Sequence, residues 1–556
     1  MNVGCKRRAK GRVITSCIAP DIVTAAVKED AEAAADRPVL NRLPGKTEAR
    51  CEVVYFVILK ILLRGSEGSV PILLPDNLLR DKLMHDPLRP QYHLLPQAGS
   101  VGDPCAPRFF RGEYHAFFHG NFGGRGWAHA ISSDLVHWRH RPIALSPTAG
   151  SYDAYGTFTG GVLPGGEGAS IIYTGVTKVP REQETIRAEG LREVQCIATS
   201  MDDDLRTWKK RDKPVIDGPP PGLKITGFRD PFSWKDGDTW YVGVGSGFPQ
   251  IGGAVLLYRS VDTLNWEYVH PLAQGTWNGQ SFSNPVPSSE MWECPDFFPL
   301  GDKHVLLYST EYTTRWEVGT YDKLNLRFHS EKKGLLDHGA YYAPRSMSDG
   351  NNRRILWGWV QETRSRTDIE QAGWSGSMSL PRVLTLGMEN DLQMEVAPEF
   401  ASLRQSTIVV KEPRNSTELS DALSHATIHN RAAEISCTFK AREGICGLEL
   451  QLQSGTGTTS LFTVAYSQAN GAPFVVIGDK LLPLSPDRDG LSTLHLWIDG
   501  SVIETFIDKR QVITTRCYAA PAGPAEIRVV WNGASNLLKN LNVSAIGPIS
   551  SDRLTT

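Results

Sequence analysis

The sequence lacks a strong imbalance of charge, because 59 basic and 61 acidic residues leave a formal net charge of −2 at pH 7. Without a large basic excess, the chain has little electrostatic attraction for nucleic acid or for an anionic membrane surface. We therefore predict neither nucleic acid nor a membrane as a partner. A neutral or weakly charged substrate fits this charge balance better.

The sequence also lacks a CxxC pair, although it contains nine cysteines. An odd number of widely spaced cysteines argues against a disulfide framework and against a zinc site. We predict no metal and no other cofactor, and we leave open one bridge between Cys437 and Cys446.

Long apolar segments are missing as well. The most apolar run, "VVYFVILKILL" (Val53 to Leu63), is interrupted by Lys60 and is too short to span a bilayer. The first residues lack the apolar core of a secretory signal. A cytoplasmic and a secreted location therefore both stay open.

Aromatic residues, glycine and proline are plentiful, with 14 Trp, 16 Tyr, 19 Phe, 52 Gly and 35 Pro among 556 residues. Aromatic side chains favour strands, whereas glycine and proline mark turns. From about residue 88, short apolar runs such as "EYHAFFHG", "TWYVGVGS" and "HVLLYST" recur between turn residues. This texture predicts an all-β protein, and the length favours two domains.

One short element repeats in the first part of the chain: Ser or Tyr, then Asp, then Leu, then an aromatic residue. Its copies end at Trp138, Trp208, Trp266 and Phe328. A repeat of this size in an all-β chain predicts the blades of a β-propeller. Four copies and a closing segment near "ILWGWV" predict a five-bladed β-propeller, in which the repeated tryptophans pack in the core.

The texture changes after Pro398, where many short strand-like runs such as "EISCTFK" and "LFTVAYS" follow one another. Regularly spaced strands of this kind predict a β-sandwich. We therefore predict three parts: an N-terminal extension of uncertain order (1–85), a catalytic five-bladed propeller (86–395) and a C-terminal β-sandwich (400–556).

Three stretches place a carboxylate beside rigid or turn-forming neighbours: "GSVGDPCAP" with Asp103, "TGFRDPF" with Asp230 and "MWECPDF" with Glu293. Proline restricts the residue before it, so we expect the two Asp-Pro carboxylates on stiff, extended segments. Innermost strands of a propeller line its axis, so carboxylates from three blades can converge. Asp-Pro also occurs in plain turns, and we interpret Asp86 in that way. We interpret Asp487, in "SPDRDG", as part of another plain turn.

In these motifs the sequence resembles glycoside hydrolase family 32, the family of invertases, inulinases and fructosyltransferases. The resemblance covers about residues 88 to 545 in the family's order. Besides the acidic stretches it includes "RPQYHLLP", "GWAHAISSDLVHW", "DAYGTFTGG", "DHGAYYA", "GWSGSMSLPR" and the sandwich strand "DGSVIETFI". It implies a five-bladed propeller followed by a β-sandwich. It also implies a small carbohydrate substrate, such as sucrose or a fructo-oligosaccharide. A homodimer through the sandwich stays open.

By motif position, the resemblance implies that Asp103 is the nucleophile, Glu293 the general acid/base and Asp230 the transition-state stabiliser. A retaining glycosidase needs an ionised attacker and a protonated acid on opposite sides of the scissile bond. We expect the aromatic neighbours of Glu293 in sequence to keep its carboxyl group neutral, and we interpret Cys294 as a small buried neighbour. Further substrate-binding candidates are Gln97, Arg229, Asp153, Phe158 and Trp374. For Trp374, packing in the core stays open as an alternative. We expect Arg229 to help hold Asp230 in its ionised form.

The first motif departs from the family's usual Asn-Asp-Pro-Asn-Gly, since Gly102 precedes Asp103. The usual Phe-Ser-Gly-Ser reads Phe158-Thr-Gly-Gly161. We expect both changes to remove polar groups near the nucleophile while activity survives. We predict a retaining β-fructofuranosidase acting through a covalent fructosyl-enzyme. The alternatives are a fructosyltransferase, a non-catalytic carbohydrate-binding propeller and a related glycosidase acting on arabinosides or xylosides.

Overall fold

The computed structural model describes residues 77–551 and 554, except 122–124, 166–167, 186–189, 280–289, 442–445, 456, 470–471 and 521–524. Strands dominate these residues, which confirms the all-β class. The described residues contain three short α-helices: α1 (Asn77–His85), α2 (Arg366–Ala372) and α3 (Ser416–Ser424). In this part of the chain, no helix is long and apolar enough to cross a membrane. Most of the predicted extension, 1–85, lies outside the described residues.

Between residues 99 and 396 the described strands form five sheets. Within each sheet most neighbouring strands are antiparallel and adjacent in sequence, since short turns join them. Sheet 1 holds β1 (Gly99–Pro104), β2 (Arg108–Phe110), β3 (Glu113–Asn121), β4 (Arg125–Ser132) and β5 (Arg139–Leu145); sheet 2 holds β6 (Gly156–Leu163), β7 (Ser170–Lys178), β8 (Leu191–Ser200) and β9 (Trp208–Lys210). Sheet 3 holds β10 (Arg229–Asp236), β11 (Thr239–Phe248), β12 (Gly252–Ser260) and β13 (Glu267–Gln274); sheet 4 holds β14 (Glu293–Leu300), β15 (Lys303–Thr310), β16 (Thr313–Asp322) and β17 (Arg327–Asp337). Sheet 5 holds β18 (Tyr341–Ser348), β19 (Arg354–Val360), β21 (Ser377–Met378), β22 (Arg382–Leu386) and β23 (Leu392–Val396), whereas β20 (Trp374–Ser375) pairs in parallel with β1 of sheet 1.

The first strands of the five sheets lie next to one another. Strand β6 contacts β10, β10 contacts β14, β14 contacts β18, and β18 contacts β1. Thr159 on β6 donates a hydrogen bond from Oγ1 to Asp103 Oδ2 on β1, at 3.2 Å. These contacts close a circle of first strands, so residues from five distant parts of the sequence meet at its centre.

The repeated sequence element is the turn that leads into the last strand of sheets 1 to 4. Its aspartate accepts backbone N–H groups two to five residues further on, which fixes the turn. The indole of Trp138 is 3% exposed and donates to the carbonyl of Leu135. The four aspartates are Asp134, Asp202, Asp262 and Asp322. The repeat therefore marks a structural turn whose aromatic residue lies in the core at Trp138 and Phe328, as the sequence predicts, whereas Trp208 and Trp266 are only partly buried.

The strands after residue 400 form two further six-stranded sheets. They enclose a separate apolar core in which Cys437 and Cys446 are buried as free thiols, so the bridge left open by the sequence is absent. The strands are β24 (Arg404–Lys411), β25 (Thr427–Ile428), β26 (Ala432–Lys440), β27 (Cys446–Ser454), β28 (Gly457–Ala469), β29 (Ala472–Ile477), β30 (Lys480–Pro483), β31 (Leu491–Asp499), β32 (Val502–Ile507), β33 (Gln511–Arg516), β34 (Ala525–Asn532) and β35 (Leu538–Ile546). Their orders are β24-β35-β26-β31-β32-β33 and β25-β34-β27-β28-β29-β30.

The "DGSVIETFI" hairpin of β31 and β32 connects the last sheets to the first five. Asp499 accepts the backbone N–H groups of Gln91, Tyr92 and His93 at 2.7–2.8 Å. Glu504 accepts Arg382 Nη2 at 2.6 Å and Nε at 3.0 Å, and none of the three side chains in the Asp337–Arg382–Glu504 network is exposed. A buried network of charges therefore joins the two groups of sheets.

Removing the shared cation should destabilise this junction strongly. Arg382→Leu leaves Asp337 and Glu504 buried without their common partner, so we expect a loss of about 3–5 kcal/mol in the free energy of unfolding. Urea unfolding measures this loss. Arg366→Leu is the matched control, because Arg366 and Glu370 form an exposed pair that contributes about 0–1 kcal/mol. Equal effects of the two substitutions would contradict a role of the buried network in stability.

Candidate active site

The pairing of the first strand of every sheet between residues 99 and 396 is interrupted once, at the end of β1 and close to the start of the other four strands. A β-bulge adds a residue to one strand, bends it and re-aims a side chain, and such bulges often accompany active sites. The interruptions lie between Val101 and Pro104, Thr157 and Gly160, Arg229 and Phe232, Glu293 and Asp296, and Tyr342 and Arg345. The three acidic candidates, Asp103, Asp230 and Glu293, lie within or at the start of these bulges.

The bulges change the backbone expected for one Asp-Pro pair. Asp230 has φ +63°, so it is not on an extended segment, which corrects the expectation from sequence. Proline constrains the preceding residue but does not forbid this φ, and Asp tolerates the left-handed region better than bulky residues do. Cys294 and Ala343, in two other bulges, also have positive φ values of +47° and +53°. Three of the five bulges therefore carry a residue in the left-handed region of backbone conformation.

Cys294 lies between two of the acidic side chains. Its backbone N–H donates to Asp230 Oδ2 at 3.0 Å, and its Sγ lies 3.6 Å from the same oxygen. The same sulfur lies 4.0 Å from Asp103 Oδ2. Burial raises the pKa of the Cys294 thiol well above its usual value, so the thiol is neutral. This agrees with its interpretation as a small buried neighbour of the carboxylates.

Glu293 is held by a cation and a phenol. Arg229 donates to Oε1 from Nε at 3.2 Å and from Nη2 at 3.0 Å, and the Tyr342 hydroxyl donates to Oε2 at 2.8 Å. The other Arg229 nitrogen, Nη1, donates to the buried Glu193 at 2.8 Å. Arg229 therefore binds Glu193 and Glu293 directly, and its charge also lowers the pKa of Asp230, the direction expected from the sequence.

The aromatic neighbours of Glu293 in sequence have other partners. Trp292 stacks on Tyr308, with ring centroids 3.9 Å apart, and Phe297 packs in the same apolar cluster. Phe298 belongs to another core cluster. Side chains of a strand alternate between its faces, so the expected apolar surroundings of Glu293 do not come from these three rings. Its direct contacts are Arg229 and Tyr342.

Two of the carboxyl groups have strongly raised pKa values. Burial, and secondly the charge of Glu293, raise the pKa of Asp103 from 3.8 to about 7. The same two causes raise the pKa of Asp230 to about 7. The hydrogen bond from Thr159 and the positive charge of Arg345 oppose the shift of Asp103. A pKa of about 7 makes the ionisation of Asp103 sensitive to pH near neutrality.

The other substrate-binding candidates separate into two groups. Phe158 lines a cavity of about 470 Å³ that extends along β1 as far as Gly102, next to Asp103. Gln97 is buried, and within the described part of the chain its side-chain oxygen has no hydrogen-bond partner. The cavity is lined by Ser100, Val101, Gly102, His119, Gly120, Gly126, Tyr155, Gly156, Thr157, Phe158, Trp359 and Ser375. Its aromatic walls suit the apolar face of a sugar ring.

Asp153 and Trp374 serve the fold instead. Asp153 is fully buried, pairs with Lys210 at 2.5 Å and accepts the Tyr173 hydroxyl at 3.0 Å. Trp374 is 1% exposed and donates from Nε1 to Asp86 at 2.7 Å. Neither side chain is available to a sugar, so the structure contradicts a lining role for both and favours core packing for Trp374.

The two departures from the family pattern differ in their surroundings. A Cβ atom added at Gly102 would lie 3.2 Å from the Cβ of His119, at the wall of the cavity. One added at Gly161 would instead lie 3.1 Å from Pro231 O and Phe232 Cα of the neighbouring strand. Gly161 therefore allows two strands to approach, which corrects the expectation that it removes a sugar contact.

Sequence reasoning missed several residues of the site. Glu193, Tyr342 and Arg345 come from strands that carry no acidic motif, and His119 points an unpartnered Nε2 into a buried position beside the cavity, among the described residues. The only signal in the sequence was charge inside apolar runs, as in "REVQCIA" and "YYAPRS". That signal identifies burial but not which residues meet.

Comparison with known proteins places both groups of sheets in one protein family. The family model described as "Glycosyl hydrolases family 32 N-terminal domain" matches residues 93–398, and "Glycosyl hydrolases family 32 C terminal" matches residues 399–545. The chain is 32% identical over 469 residues to a sucrose-6-phosphate hydrolase of Escherichia coli, covering 78% of this chain and 90% of that protein. A raffinose invertase of Escherichia coli is 31% identical over 465 residues, covering 77% and 89%.

A solved structure supports the architecture. The fructan 1-exohydrolase IIa of Cichorium intybus matches with a TM-score of 0.68 and 25% identity, covering 83% of this chain and 98% of that one. The likeness therefore extends over both groups of sheets.

Proposed function

The chain belongs to glycoside hydrolase family 32, and on that basis we propose that it is a retaining β-fructofuranosidase that releases fructose from sucrose or related fructosides. The convergence of Asp103, Asp230 and Glu293 at the centre of the first strands is the observation that carries this proposal. Relatives named sucrose-6-phosphate hydrolase and raffinose invertase support a fructoside substrate.

In this proposal Asp103 attacks C2 of the fructosyl unit, while Glu293 donates a proton to the departing oxygen. The bond from C2 to that oxygen breaks as the bond from C2 to the Asp103 carboxylate forms. Water then loses a proton to Glu293 and attacks C2, which releases fructose and restores both acids. Retention of configuration follows from the two displacements.

Asp230 stabilises the positive charge that develops on the sugar in the transition states of both displacements. Its Oδ2 is already oriented by the backbone N–H of Cys294, so little reorganisation is required when charge develops. Tyr342 and Arg229 orient Glu293 in the same manner. Among the binding candidates, Phe158 is supported by its position in the cavity beside Gly102.

The fold supports the finer architecture that we propose. The five sheets of residues 99–396 are the five blades of a propeller, and the two later sheets are the faces of a sandwich. The proposed boundaries, 86–395 and 400–556, lie close to the ends of these sheets. The homodimer through the sandwich stays a prediction.

Incubation with concentrated sucrose tests the activity and its products. We expect free fructose to appear and to account for most of the sucrose consumed. Chromatography separates fructose from trisaccharide. Trisaccharide as the main product would favour the fructosyltransferase alternative. Sucrose bound without turnover would contradict both enzymes and favour a carbohydrate-binding propeller. Cleavage of an arabinofuranoside without cleavage of sucrose would contradict the fructoside substrate.

A further inference from the structure

Arg345 contacts the backbone of the two strands that carry Asp230 and Glu293, and no motif in the sequence marks it. It is on β18 at the end of that strand's bulge, and it is 2% exposed. Its Nη1 donates to the carbonyl oxygen of Pro295 at 2.5 Å, and its Nη2 donates to the carbonyl oxygen of Asp230 at 2.9 Å. A longer contact of 3.5 Å reaches the carbonyl of Pro231.

The carbonyl groups that Arg345 binds belong to the bulges of the strands carrying Asp230 and Glu293. Ladder pairing is interrupted between Arg229 and Phe232 and between Glu293 and Asp296. A buried carbonyl without a partner is costly, so such groups need a donor from elsewhere. One guanidinium provides donors to two different strands at once, because its N–H groups form a rigid fork.

The charge of Arg345 is not used by a salt bridge among the described residues. The neighbouring Asp296 accepts the backbone N–H of Ser346 at 2.8 Å, and Arg354 pairs with its other oxygen at 3.4 Å. An unpaired cation in a buried position is expensive. Its field acts on two of the carboxylates, since the charge of Arg345 lowers the pKa values of both Asp103 and Asp230.

We propose that Arg345 is a positioning residue of the hydrolase, which holds the bulged segments of Asp230 and Glu293 through their carbonyls and supplies the buried positive charge that faces Asp103 and Asp230. This inference rests on the proposed function, because it assigns Arg345 a task only if Asp103 is the attacking group.

Several groups besides Arg345 affect the ionisation of Asp103, and they remain in place when Arg345 is substituted. Glu293 opposes ionisation of Asp103, whereas Thr159 and Arg229 favour it. Arg229 is itself shared between Glu193 and Glu293, so it cannot replace the charge of Arg345. Loss of that charge should therefore make Asp103 harder to ionise.

The test is the pH dependence of kcat/KM for sucrose in the whole protein. Arg345→Gln keeps N–H donors without charge, whereas Arg345→Lys keeps the charge without the fork. For the wild type we expect kcat/KM to fall as pH falls below the range in which Asp103 ionises. In Arg345→Gln the pH at which kcat/KM falls on the acid side should rise by about one pH unit. At pH values below that point, kcat/KM should be about tenfold lower than in the wild type. Arg345→Lys should keep this acid limb of the profile near its wild-type position and lower kcat at all pH values.

Arg354→Gln is the matched control, because it removes a nearby, partly buried arginine charge that pairs with Asp296. The acid limb of this variant should stay at its wild-type position. An unmoved limb in Arg345→Gln, or equal shifts in the glutamine and lysine variants, would overturn the proposal. Arg345→Met is the second neutral variant if the glutamine variant does not fold. If neither neutral variant folds while the lysine variant does, the charge serves the fold, and the proposal is likewise overturned. Failure of the proposed function itself is separate, because then the wild type releases no fructose.

Discussion

Asp103→Asn is expected to abolish fructose release, lowering kcat by on the order of 10⁴-fold or more, as removal of a covalent nucleophile does in other hydrolases. The amide is nearly the same size as the carboxylate and still accepts the hydrogen bond of Thr159, but it cannot form the fructosyl ester. Initial rates of fructose formation from sucrose, measured above neutral pH, check this prediction.

The fold of this variant should be at least as stable as that of the wild type. The pKa of Asp103 rises from 3.8 to about 7 on folding, so the folded protein binds the proton more tightly than the unfolded chain. Stability therefore falls as pH rises between these two values, and above them the ionised Asp103 opposes folding. The neutral amide removes this effect, and we expect Tm at pH 8 to be equal or higher.

Asp487→Asn is the matched control for the chemistry. Asp487 accepts two backbone N–H groups in a turn of the second group of sheets, and an amide oxygen can do the same. We expect it to retain wild-type kcat. An Asp103→Asn variant that is folded and active would remove Asp103 from the mechanism.

Glu293→Gln should produce a loss that depends on the leaving group. General acid–base catalysis contributes about 10²–10⁴-fold, so kcat for sucrose should fall by that amount. With β-fructosyl fluoride the first step needs no proton donor, since fluoride departs as an anion. The loss for formation of the fructosyl-enzyme should then be much smaller, and pre-steady-state release of fluoride measures it.

The control for this variant is Glu267→Gln, which removes an exposed carboxylate paired with Arg259. We expect both substrates to react with it as with the wild type. Equal losses of Glu293→Gln on sucrose and on the fluoride would show that Glu293 does not protonate the leaving group.

Much of the architecture could be predicted from local sequence patterns. The repeated Asp-Leu-aromatic element identified a turn in four sheets, because an aspartate side chain and a packing indole act within a few residues of one another. The change of texture near residue 398 coincides with the division between the two matched family domains. The three acidic motifs were visible because rigid neighbours are adjacent in sequence.

The errors have different physical causes, which are the alternation of side chains along a strand, partners distant in the chain and a bulged backbone. Trp292 and Phe297 were expected around the Glu293 carboxyl, but they pack elsewhere. Asp153 and Trp374 resembled binding residues, yet one forms a buried ion pair with Lys210 and the other donates to Asp86. Asp230 was expected on an extended segment, but the bulge gives it φ +63°.

The sequence by itself determined the class of fold, the succession of two kinds of sheet assembly and the positions of three rigidly held acids, since each depends on residues within one turn or strand. The tertiary structure alone decided that Arg229 joins Glu193 to Glu293, that Tyr342 reaches the same carboxyl group and that Arg345 binds two bulged strands. Those contacts join residues far apart in the chain, and they exist only because five first strands meet in one circle, each with its pairing interrupted once.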